Sequence, residues 1–423
     1  MKDLWRQKFR EKAEKPGIGG FQVLTAFNAN IDRKIEFSDL DWSLVRPEEL
    51  DEVSNVSDVK KVLSYAIQNG ENLEVDASRL QYEFEIGDTS VGGQAAIMAN
   101  FLSGLEGSVT FYTPLLSDKL AQNIDEKVLH PYFDGGFKLK NVRDSANTDR
   151  TKENIIIEFK EPKSGRLILS DKLRGFGPYF RSGITDNIDL IDENIQGVVL
   201  SGFHNLRGNK EAKIEKSRHQ IQRIDSKIHV ELADTEKENF KLIRENIIPF
   251  IESIGLDETE ALKLAETLDK DYSRPLKMGE AFDLLKGLID ETDLARCHLH
   301  TYRYHLLVTE KEYSVDVDDI FDGMIFGEIS AIKCAEKGRL PNLEDFGDLS
   351  FTDIHVKNLD QHEDFADFFD LENFVETGKA SIEDYNVCAI PTLIHEEPDR
   401  LVGMGDLISS GAFAYELSKE SGQ

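Results

Sequence analysis

The residues best suited to phosphate chemistry are Gly403, Met404, Gly405 and Asp406, which precede the segment LISSGAF at 407–413. Two glycines let the backbone turn tightly and expose its N–H groups, and a following helix adds positive potential at the same point. Such a turn can hold a phosphate while charge develops on it, and Asp406 at its edge can take a proton from a hydroxyl. A glycine turn with Asp406 as helix N-cap is the alternative interpretation.

Two further segments place polar side chains where a ligand can bind. Asn30 and Asp32 follow a strand predicted at 21–28, and such side chains can hydrogen-bond the hydroxyls of a polyol. Gly93 and Gln94 open a predicted helix, where glycine permits close approach and Gln94 offers both a donor and an acceptor. An Asx turn and an ordinary helix entry explain the same residues without a ligand.

Carboxylates at two positions indicate a Mg²⁺ site. The period of two places His229 and Glu231 on one face of a predicted strand, and Glu260 lies in the segment GLDETE. Two carboxylates can hold Mg²⁺ through water molecules, as nucleotide sites require. The alternative is a strand-end ion pair and a glutamate in the first turn of a helix.

Three histidines, His298, His300 and His305, crowd one segment. Zinc is disfavoured because no paired cysteines flank them, and Cys297 is predicted to face away from His298 in a strand. A core position or a nucleotide pocket is favoured instead. Neither GxxxxGK[ST] nor GxGxxG occurs, so neither a phosphate P-loop nor a dinucleotide fingerprint is supported.

The elements that must position these residues alternate between strand and helix. This alternation predicts a parallel α/β sheet with helices on both faces, which binds ligands at the carboxyl ends of its strands. The predicted strands are FQVLTAFN (21–28), SVTFYTPLL (108–116), GVVLSGF (197–203), KIHVELA (227–233), CHLHTYRYHLLV (297–308) and NVCAIPTLI (386–394). The predicted helices include GGQAAIMANFLSGL (92–105), ETEALKLAETL (258–268) and LISSGAFAYELSKE (407–420).

Two segments do not follow this alternation. Residues 36–90 are polar and irregular, and they include the alternating segment QYEFEIGD at 81–88. Residues 145–175 contain the runs NIIIEFK and GRLILSD around the turn signal EPKSG, a pattern typical of a hairpin. We expect both segments to form one smaller β-rich lid, inserted discontinuously into the larger domain.

Composition excludes several classes of function. The chain has 423 residues and a formal net charge of −30, so binding to nucleic acid or to anionic membrane surfaces is disfavoured. Three separated cysteines, the absence of an apolar leader and the absence of a run of ~18 apolar residues predict a cytoplasmic protein. Adaptation to a salty cytoplasm and simple solubility both remain open as reasons for the acidity.

Taken together, the motifs resemble the ADP-dependent glucokinase/phosphofructokinase family, a branch of the ribokinase-like superfamily. No single motif is decisive, but their order and their spread over nearly the whole chain make the joint match specific. The motifs are NANID (28–32), VGGQAAIMAN (91–100), SGFHNL (201–206), HVELA (229–233), GLDETE (255–260), HLHTYRY (298–304), AIPTLI (389–394) and GMGD (403–406).

The resemblance implies an α/β fold in which a three-layer αβα, ribokinase-like (Rossmann-like) large domain carries a smaller β-rich lid over the sugar site. We expect the large, nucleotide-binding domain at 1–35, 91–144 and 180–423. The lid is expected at 36–90 and 145–179.

The resemblance also implies roles for individual residues. Asp406 takes the role of catalytic base, and the N–H groups of Gly403, Met404 and Gly405 form the anion hole. The remaining roles are sugar contacts at Asn30, Asp32, Glu74, Gly93 and Gln94, nucleotide contacts at His300, Thr301, Pro391 and Thr392, and Mg²⁺ organisation at Glu231, Glu260 and Asp257.

Some positions depart from the family pattern. Asp257 stands where the family has Asn, which adds negative charge near a metal–phosphate site. Asn154 stands where glucokinase members have a lid histidine, and Leu393 stands where relatives often carry a basic residue. The lid glutamate that recognises glucose is identified as Glu74, with Glu71 as the alternative.

The acceptor is the main question that the motifs leave open. A carboxylate at Glu74 suits neutral glucose, whereas four cations of the second lid segment suit a sugar phosphate. Those cations are Arg150, Lys152, Lys172 and Arg174, and ordinary lid surface is the alternative explanation for them.

The resemblance predicts an ADP-dependent sugar kinase that gives fructose 1,6-bisphosphate and AMP from fructose 6-phosphate and also accepts glucose, in a modified glycolysis. It implies Mg²⁺, small-molecule substrates, no nucleic-acid or membrane partner, and a monomer or small homo-oligomer. A glucokinase alone, an ATP-dependent ribokinase-like kinase and a non-enzymatic sugar-binding protein are the alternatives.

Overall fold

The chain folds into a layered α/β molecule in a computed structural model, which describes residues 1–35, 46–80, 88–159, 165–172, 175–347, 349, 353–354, 356–395, 398 and 402–420. Its strands, in chain order, are β1 (Gln22–Ala26), β2 (Asn30–Ile35), β3 (Leu73–Asp76), β4 (Thr89–Gly92), β5 (Ser108–Tyr112), β6 (Leu129–Phe133), β7 (Phe137–Asn141), β8 (Glu153–Phe159), β9 (Gly165–Ser170), β10 (Gly197–Leu200), β11 (Lys227–Glu231), β12 (Ser253–Asp257), β13 (Arg296–His300), β14 (Tyr304–Glu310), β15 (Asp353–Ile354), β16 (Lys379–Ile382), β17 (Tyr385–Pro391) and β18 (Leu393–Ile394).

The helices pack around these strands. They are α1 (Lys2–Glu14), α2 (Val56–Asn69), α3 (Gln94–Gly104), α4 (Asp118–Ala121), α5 (Ile188–Asp192), α6 (Lys210–Ile221), α7 (Lys237–Asn246), α8 (Glu258–Glu266), α9 (Met278–Glu291), α10 (Val317–Lys337), α11 (Val356–Phe369), α12 (Phe374–Thr377) and α13 (Met404–Glu420). Within the described ranges, none of them is long and apolar enough to cross a membrane.

The larger sheet has the strand order β16-β17-β14-β13-β12-β11-β10-β1-β5-β6-β7. Its centre, from β5 through β1 and β10 to β13, is parallel, whereas β14, β17 and β16 extend it as antiparallel strands. The central strands read as continuous apolar runs because both faces are covered, as in the fully buried GVVL of β10. This mixed sheet confirms the α/β class, although the prediction treated it as parallel throughout.

Helices cover the larger sheet on both faces. On one face, apolar residues of α6 to α9 pack with strand residues such as Val198 and Leu299. On the other face, α3 and α13 pack against Val23, Phe111 and Val199. The predicted three-layer αβα architecture is therefore confirmed.

The smaller sheet has the order β3-β9-β8-β2-β4, and α2 packs on it through Val59, Val62 and Leu63. Strands β8 and β9 pair antiparallel, as the hairpin prediction required. Strand β2 also belongs to this sheet, because it pairs with β4 and β8. The boundary between the two sheets thus falls before Asn30, whereas the prediction placed residues 1–35 in the large domain.

Three predicted elements differ from the structure or lie outside it. The run 297–308 was predicted as one strand, but β13 and β14 are separate antiparallel strands joined by a turn that Thr301 closes with its side chain. The segment predicted as irregular at 36–90 contains the 14-residue helix α2. Most of the alternating segment QYEFEIGD lies outside the described residues.

Helices α10 and α13 approach each other closely through glycines. A Cβ at Gly327 would collide with the backbone carbonyl of Ile408, and a Cβ at Gly411 would lie 3.4 Å from the Cα of Gly327. The small residues therefore let α13 sit in direct contact with α10.

We expect Gly327→Ala to lower the free energy of unfolding by about 2 kcal/mol, because the added methyl group must displace backbone rather than a flexible side chain. Gly279→Ala in α9 is the matched control, because nothing lies within 4 Å of its Cβ position. Alanine there should leave stability unchanged or raise it by up to about 1 kcal/mol. Equal denaturant midpoints for the two variants would contradict the close contact.

Candidate active site

The turn at 403–405 and the first residues of α13 form the centre of the site. Gly403 has φ +83°, which favours glycine, and its Cβ position lies 3.1 Å from a methyl carbon of Ile97. A Cβ at Gly405 would lie 2.7 Å from Cε1 of His300. Helix α13 begins at Met404, so Asp406 stands in its first turn and is not the N-cap.

Asp406 has a protonation equilibrium near neutrality. Desolvation in the site and the charge of Glu231 raise its pKa to about 7, against the opposing effects of a hydrogen bond from Gln94 and the charges of His300 and Arg166. A base whose pKa lies near the working pH is well matched to general-base catalysis.

Glu231 lies between two histidines at the end of β11. Its Oε2 is 3.3 Å from Nε2 of His229, and its Oε1 is 3.2 Å from Nε2 of His300. Burial opposes ionisation, but these hydrogen bonds and charges lower the pKa of Glu231 to about 2. The same pairing overcomes burial and raises the pKa of His300. A stable carboxylate therefore lies beside the glycine turn.

Glu260 and Asp257 meet at the start of α8. Asp257 Oδ1 accepts the Glu260 N–H at 2.8 Å, and Glu260 Oε2 accepts the Asp257 N–H at 2.7 Å. Burial and the neighbouring charges of Asp257 and Glu231 raise the pKa of Glu260 well above its usual value. The aspartate that replaces the family Asn thus caps the helix and adds repulsion that a bound cation would relieve.

The carboxylates suit a hydrated cation better than a fully ligated one. In the described ranges, no group of three or more histidine, cysteine, aspartate or glutamate side chains is arranged to hold a metal. Both oxygens of Glu231 already face histidines, and one oxygen of Glu260 caps α8. The residues present therefore fit Mg²⁺ contacts made through water.

The predicted sugar residues gather where β2 meets β4. Asn30 donates to Asp32 Oδ1 at 2.6 Å, and both side chains are buried. Gly93 has φ +80°, and its Cβ position lies 2.7 Å from the Cα of Ala29, so glycine is required there. Gln94 donates to the carbonyl of Leu232 at 2.9 Å and also hydrogen-bonds Asp406. Gln94 therefore joins the start of α3 to Asp406 and to the segment that follows β11.

Lysines of the second lid segment lie beside Glu74. Lys172 Nζ is 3.5 Å from Glu74 Oε1, and this charge helps to lower the pKa of the carboxyl against the effect of burial. Lys152 is 4% exposed and donates to Asn28 Oδ1 at 3.0 Å. Burial lowers the pKa of Lys152 to about 8. The charges of two ammonium groups and one carboxylate thus act on one another.

The other two predicted cations are placed differently. Arg150 is 64% exposed and pairs with Asp171 at 2.6 Å, so its charge is already compensated. Arg174 lies outside the described residues. Of the two possible lid glutamates, Glu74 lies in β3, 3.5 Å from Lys172, whereas Glu71 precedes that strand; the side chains of both are exposed.

Two arginines of the site were missed by the sequence analysis. Arg207 lines a cavity of about 390 Å³ together with Lys172, Asp76 and Ser78. Arg166, at the start of β9, acts with its charge on Asp406, and its buried Nε has no hydrogen-bond partner among the described residues. The only available signals were the position of Arg207 directly after SGFHNL and that of Arg166 in the hairpin strand GRLILSD.

The predicted nucleotide residues lie at the ends of β13 and β17 and in the turns that follow them, and these two segments are hydrogen-bonded to each other. Thr392 Oγ1 donates to the carbonyl of Thr301 at 3.1 Å, and Thr301 Oγ1 donates to the carbonyl of Tyr304 at 2.7 Å. Pro391 ends β17 directly before Thr392. The two threonine hydroxyls therefore join the turn after β13 to the residue that follows β17.

Comparisons with known proteins agree with this geometry. A sequence model of the ADP-specific phosphofructokinase/glucokinase conserved region matches residues 21–415. The ADP-specific phosphofructokinase of Pyrococcus abyssi is 28% identical over 92% of this chain and 96% of its own length. The ADP-dependent glucose/glucosamine kinase of Pyrococcus furiosus is 26% identical over 98% of this chain and 99% of its own length.

Solved structures share the fold over the same extent. An ADP-dependent kinase in complex with fructose 6-phosphate and ADPβS superposes with a TM-score of 0.84 at 23% identity, covering 100% of this chain and 98% of that chain. A hypothetical ADP-dependent phosphofructokinase from Pyrococcus horikoshii gives a TM-score of 0.80 at 24% identity, covering 96% of this chain and 99% of that one. From the extent of the match at 21–415, the chain belongs to the ADP-specific phosphofructokinase/glucokinase family.

Proposed function

We propose that the protein transfers the β-phosphoryl group of ADP to fructose 6-phosphate, giving fructose 1,6-bisphosphate and AMP, and that it accepts glucose as a second substrate. The observation that carries the proposal is the continuity of the site. Gln94 hydrogen-bonds Asp406 and begins α3 directly after Gly92 and Gly93. A Cβ at Gly92 would collide with the carboxylate of Asp32, and the charge of Asp32 acts on Lys152. The glycine turn and Asp406 suit phosphoryl transfer, and Lys152 suits an anionic acceptor.

The choice of acceptor rests on charge. Relatives named as phosphofructokinases and as glucose kinases match the chain almost equally well, so identity does not separate the two substrates. Lys172 and Arg207 line a cavity of about 390 Å³ together with Arg79 and the carboxylates of Glu52 and Asp76, and Lys152 adds a buried charge that acts on Lys172. Glu74 supplies an acceptor for glucose hydroxyls, which supports the second substrate.

The chain's own groups perform the proposed transfer by positioning and charge stabilisation. Asp406 removes the proton of the acceptor hydroxyl as its oxygen attacks the β-phosphorus of ADP, and AMP leaves. The N–H groups of residues 403–405 and the charge of Arg166 oppose the negative charge that develops on the phosphoryl oxygens.

Mg²⁺ bound with ADP would neutralise phosphate charge, and Glu231 and Glu260 would hold it through water, with Asp257 beside them. His300, Thr301, Pro391 and Thr392 would form the wall that faces the nucleotide. We place the activity in the cytoplasm, which the three free cysteines favour.

We expect Asp406→Asn to lower kcat by about 10²- to 10⁴-fold, because the amide cannot accept the hydroxyl proton. The affinity for fructose 6-phosphate should stay within about twofold, since Asp406 acts on the reacting oxygen. A coupled assay of AMP formation and calorimetric titration of the sugar phosphate measure the two quantities. Normal turnover in this variant would contradict the role of Asp406 as the base. Replacing ADP with ATP in the same assay tests the identity of the phosphoryl donor.

The pH dependence should differ between the two acceptors. Asp406 must be deprotonated to act as base, so turnover with either sugar should fall as the pH drops below about 7. Lys152 must be protonated to attract a phosphate, so kcat/KM for fructose 6-phosphate should fall as the pH rises above about 8. With glucose, the alkaline decline should be absent. The same decline of kcat/KM above about pH 8 for both sugars would contradict the role of Lys152.

Lys172→Met should raise KM for fructose 6-phosphate by about 10- to 100-fold, because the phosphate loses a cation and meets an unpaired Glu74. Glu74→Gln should have the opposite selectivity, raising KM for glucose and sparing fructose 6-phosphate. Arg150→Met is the matched control, since Arg150 is exposed and paired with Asp171. Steady-state kinetics measure KM for each sugar in each variant. An equal rise in KM for both sugars in either variant would contradict this selectivity.

A further inference from the structure

Helix α13 carries a stripe of residues that faces the larger sheet beyond the catalytic groups. Asp406, Ser409, Phe413 and Glu416 recur at the spacing of one helix face. Ser409 lies 2.9 Å from His229 Nε2, and the ring of Phe413 stacks on His229 at 5.1 Å. The helix is buried from Leu407 to Ser418, so Ser409, Phe413 and Glu416 are shielded from solvent.

At the far end of the stripe, Glu416 forms a buried ion pair with Arg296 of β13. Arg296 is 0% exposed and Glu416 is 1% exposed. The guanidinium donates to both carboxylate oxygens, at 3.0 Å and 2.8 Å, which gives a two-point contact with a defined direction. Tyr313 donates a further hydrogen bond to Glu416 at 3.0 Å.

The ion pair is connected to the catalytic end of the helix through the sheet. Arg296 donates to Ser253 Oγ at 3.0 Å, and Ser253 Oγ is 2.8 Å from His229 Nδ1. His229 in turn contacts Ser409 and Glu231. A continuous set of buried polar contacts therefore joins Arg296 and Glu416 to the first turns of the helix that begins at the glycine turn.

Stability alone does not require such a pair. A buried ion pair offsets a large desolvation cost, and well-packed apolar residues of similar volume are often equally stable. Directional polar contacts, unlike apolar packing, restrict the helix to one axial position and one rotation. On its other side, α13 contacts α10 through glycines, which have no side chain to make directional contacts.

We infer that Arg296 and Glu416 are positioning residues, which set the axial register of α13 and so place the N–H groups of 403–405 and the carboxylate of Asp406. The inference rests on the proposed function, since it concerns the geometry of the same reaction. Neither residue touches substrate. Their effect on rate arises because an error of about 1 Å in a reacting group costs about 100-fold.

The decisive variant replaces both partners, as Arg296→Met with Glu416→Met. Each single change leaves one buried charge unpaired and should lower the unfolding midpoint strongly, whereas the double change removes both charges. We expect the double variant to regain most of the wild-type midpoint, to lose about 10- to 100-fold in kcat, and to keep its KM for fructose 6-phosphate within about twofold. Wild-type stability together with wild-type kcat would overturn the inference.

A second readout does not depend on activity. Hydrogen exchange of the amides at 403–410 should be faster in the double variant, while exchange in α2 of the smaller sheet should not change. If the wild-type chain forms no AMP from ADP and a sugar, the proposed function fails, but this exchange still decides the positioning role. Unchanged protection at 403–410 would overturn that role.

Two further variants keep the test decisive. Tyr415→Phe removes a hydroxyl that lies 3.0 Å from Lys12 on the other side of α13, so it should leave kcat and amide exchange at 403–410 at wild-type values. If the double variant does not fold, Glu416→Gln keeps the shape and removes the charge. A folded Glu416→Gln protein should show a lower kcat and faster exchange, and wild-type values for both would again overturn the inference.

Discussion

A chain with a net charge of −30 has to create positive potential locally wherever it is to hold phosphate. The structure does this with few charged side chains. At the centre of the site, the backbone N–H groups of the glycine turn and the start of α13 supply potential without any cation. Around that point, Arg166 and Lys172 come from the smaller sheet and its edge, and Arg207 comes from the larger domain.

Negative charge at the site is organised in the same local way. Glu231 stays ionised because His229 and His300 bind it, whereas Glu260 is repelled by Asp257 and Glu231. Burial raises the pKa of Asp406 to about 7, far above that of Glu231. Neighbouring carboxylates thus have different affinities for protons because each has a different hydrogen-bond environment, which separates a base from groups suited to a cation.

Sequence predicted the parts of this molecule that depend on local signals. The turn and helix at 403–420 follow from paired glycines and a periodic apolar segment, and the β8–β9 hairpin follows from its alternation and turn residues. The run 297–308 was misread as one strand because its turn contains no glycine or proline, and Thr301 closes it with a side-chain contact instead. The membership of β2 in the smaller sheet was not predicted because its partner β8 lies far along the chain.

Contacts between distant parts of the chain were the least predictable. Arg296 and Glu416 are 120 residues apart, and neither lies in a motif that signals chemistry. The same holds for Arg166, whose charge reaches Asp406 only when the smaller sheet lies over the larger one. Such pairs become visible only when the fold brings the two segments together.

The charges around Glu74 support the proposal that one site serves both a neutral and an anionic sugar. A free carboxylate would repel a sugar phosphate, but Lys172 lies 3.5 Å away and offsets that charge. When a neutral sugar binds, the pair leaves carboxylate oxygens available for hydroxyl groups; when a phosphate binds, it is attracted to Lys172 and Arg207. Because Lys152 is buried and its pKa is lowered to about 8, part of this attraction depends on pH. The proposed breadth of acceptor therefore rests on one compensated carboxylate near a titratable lysine.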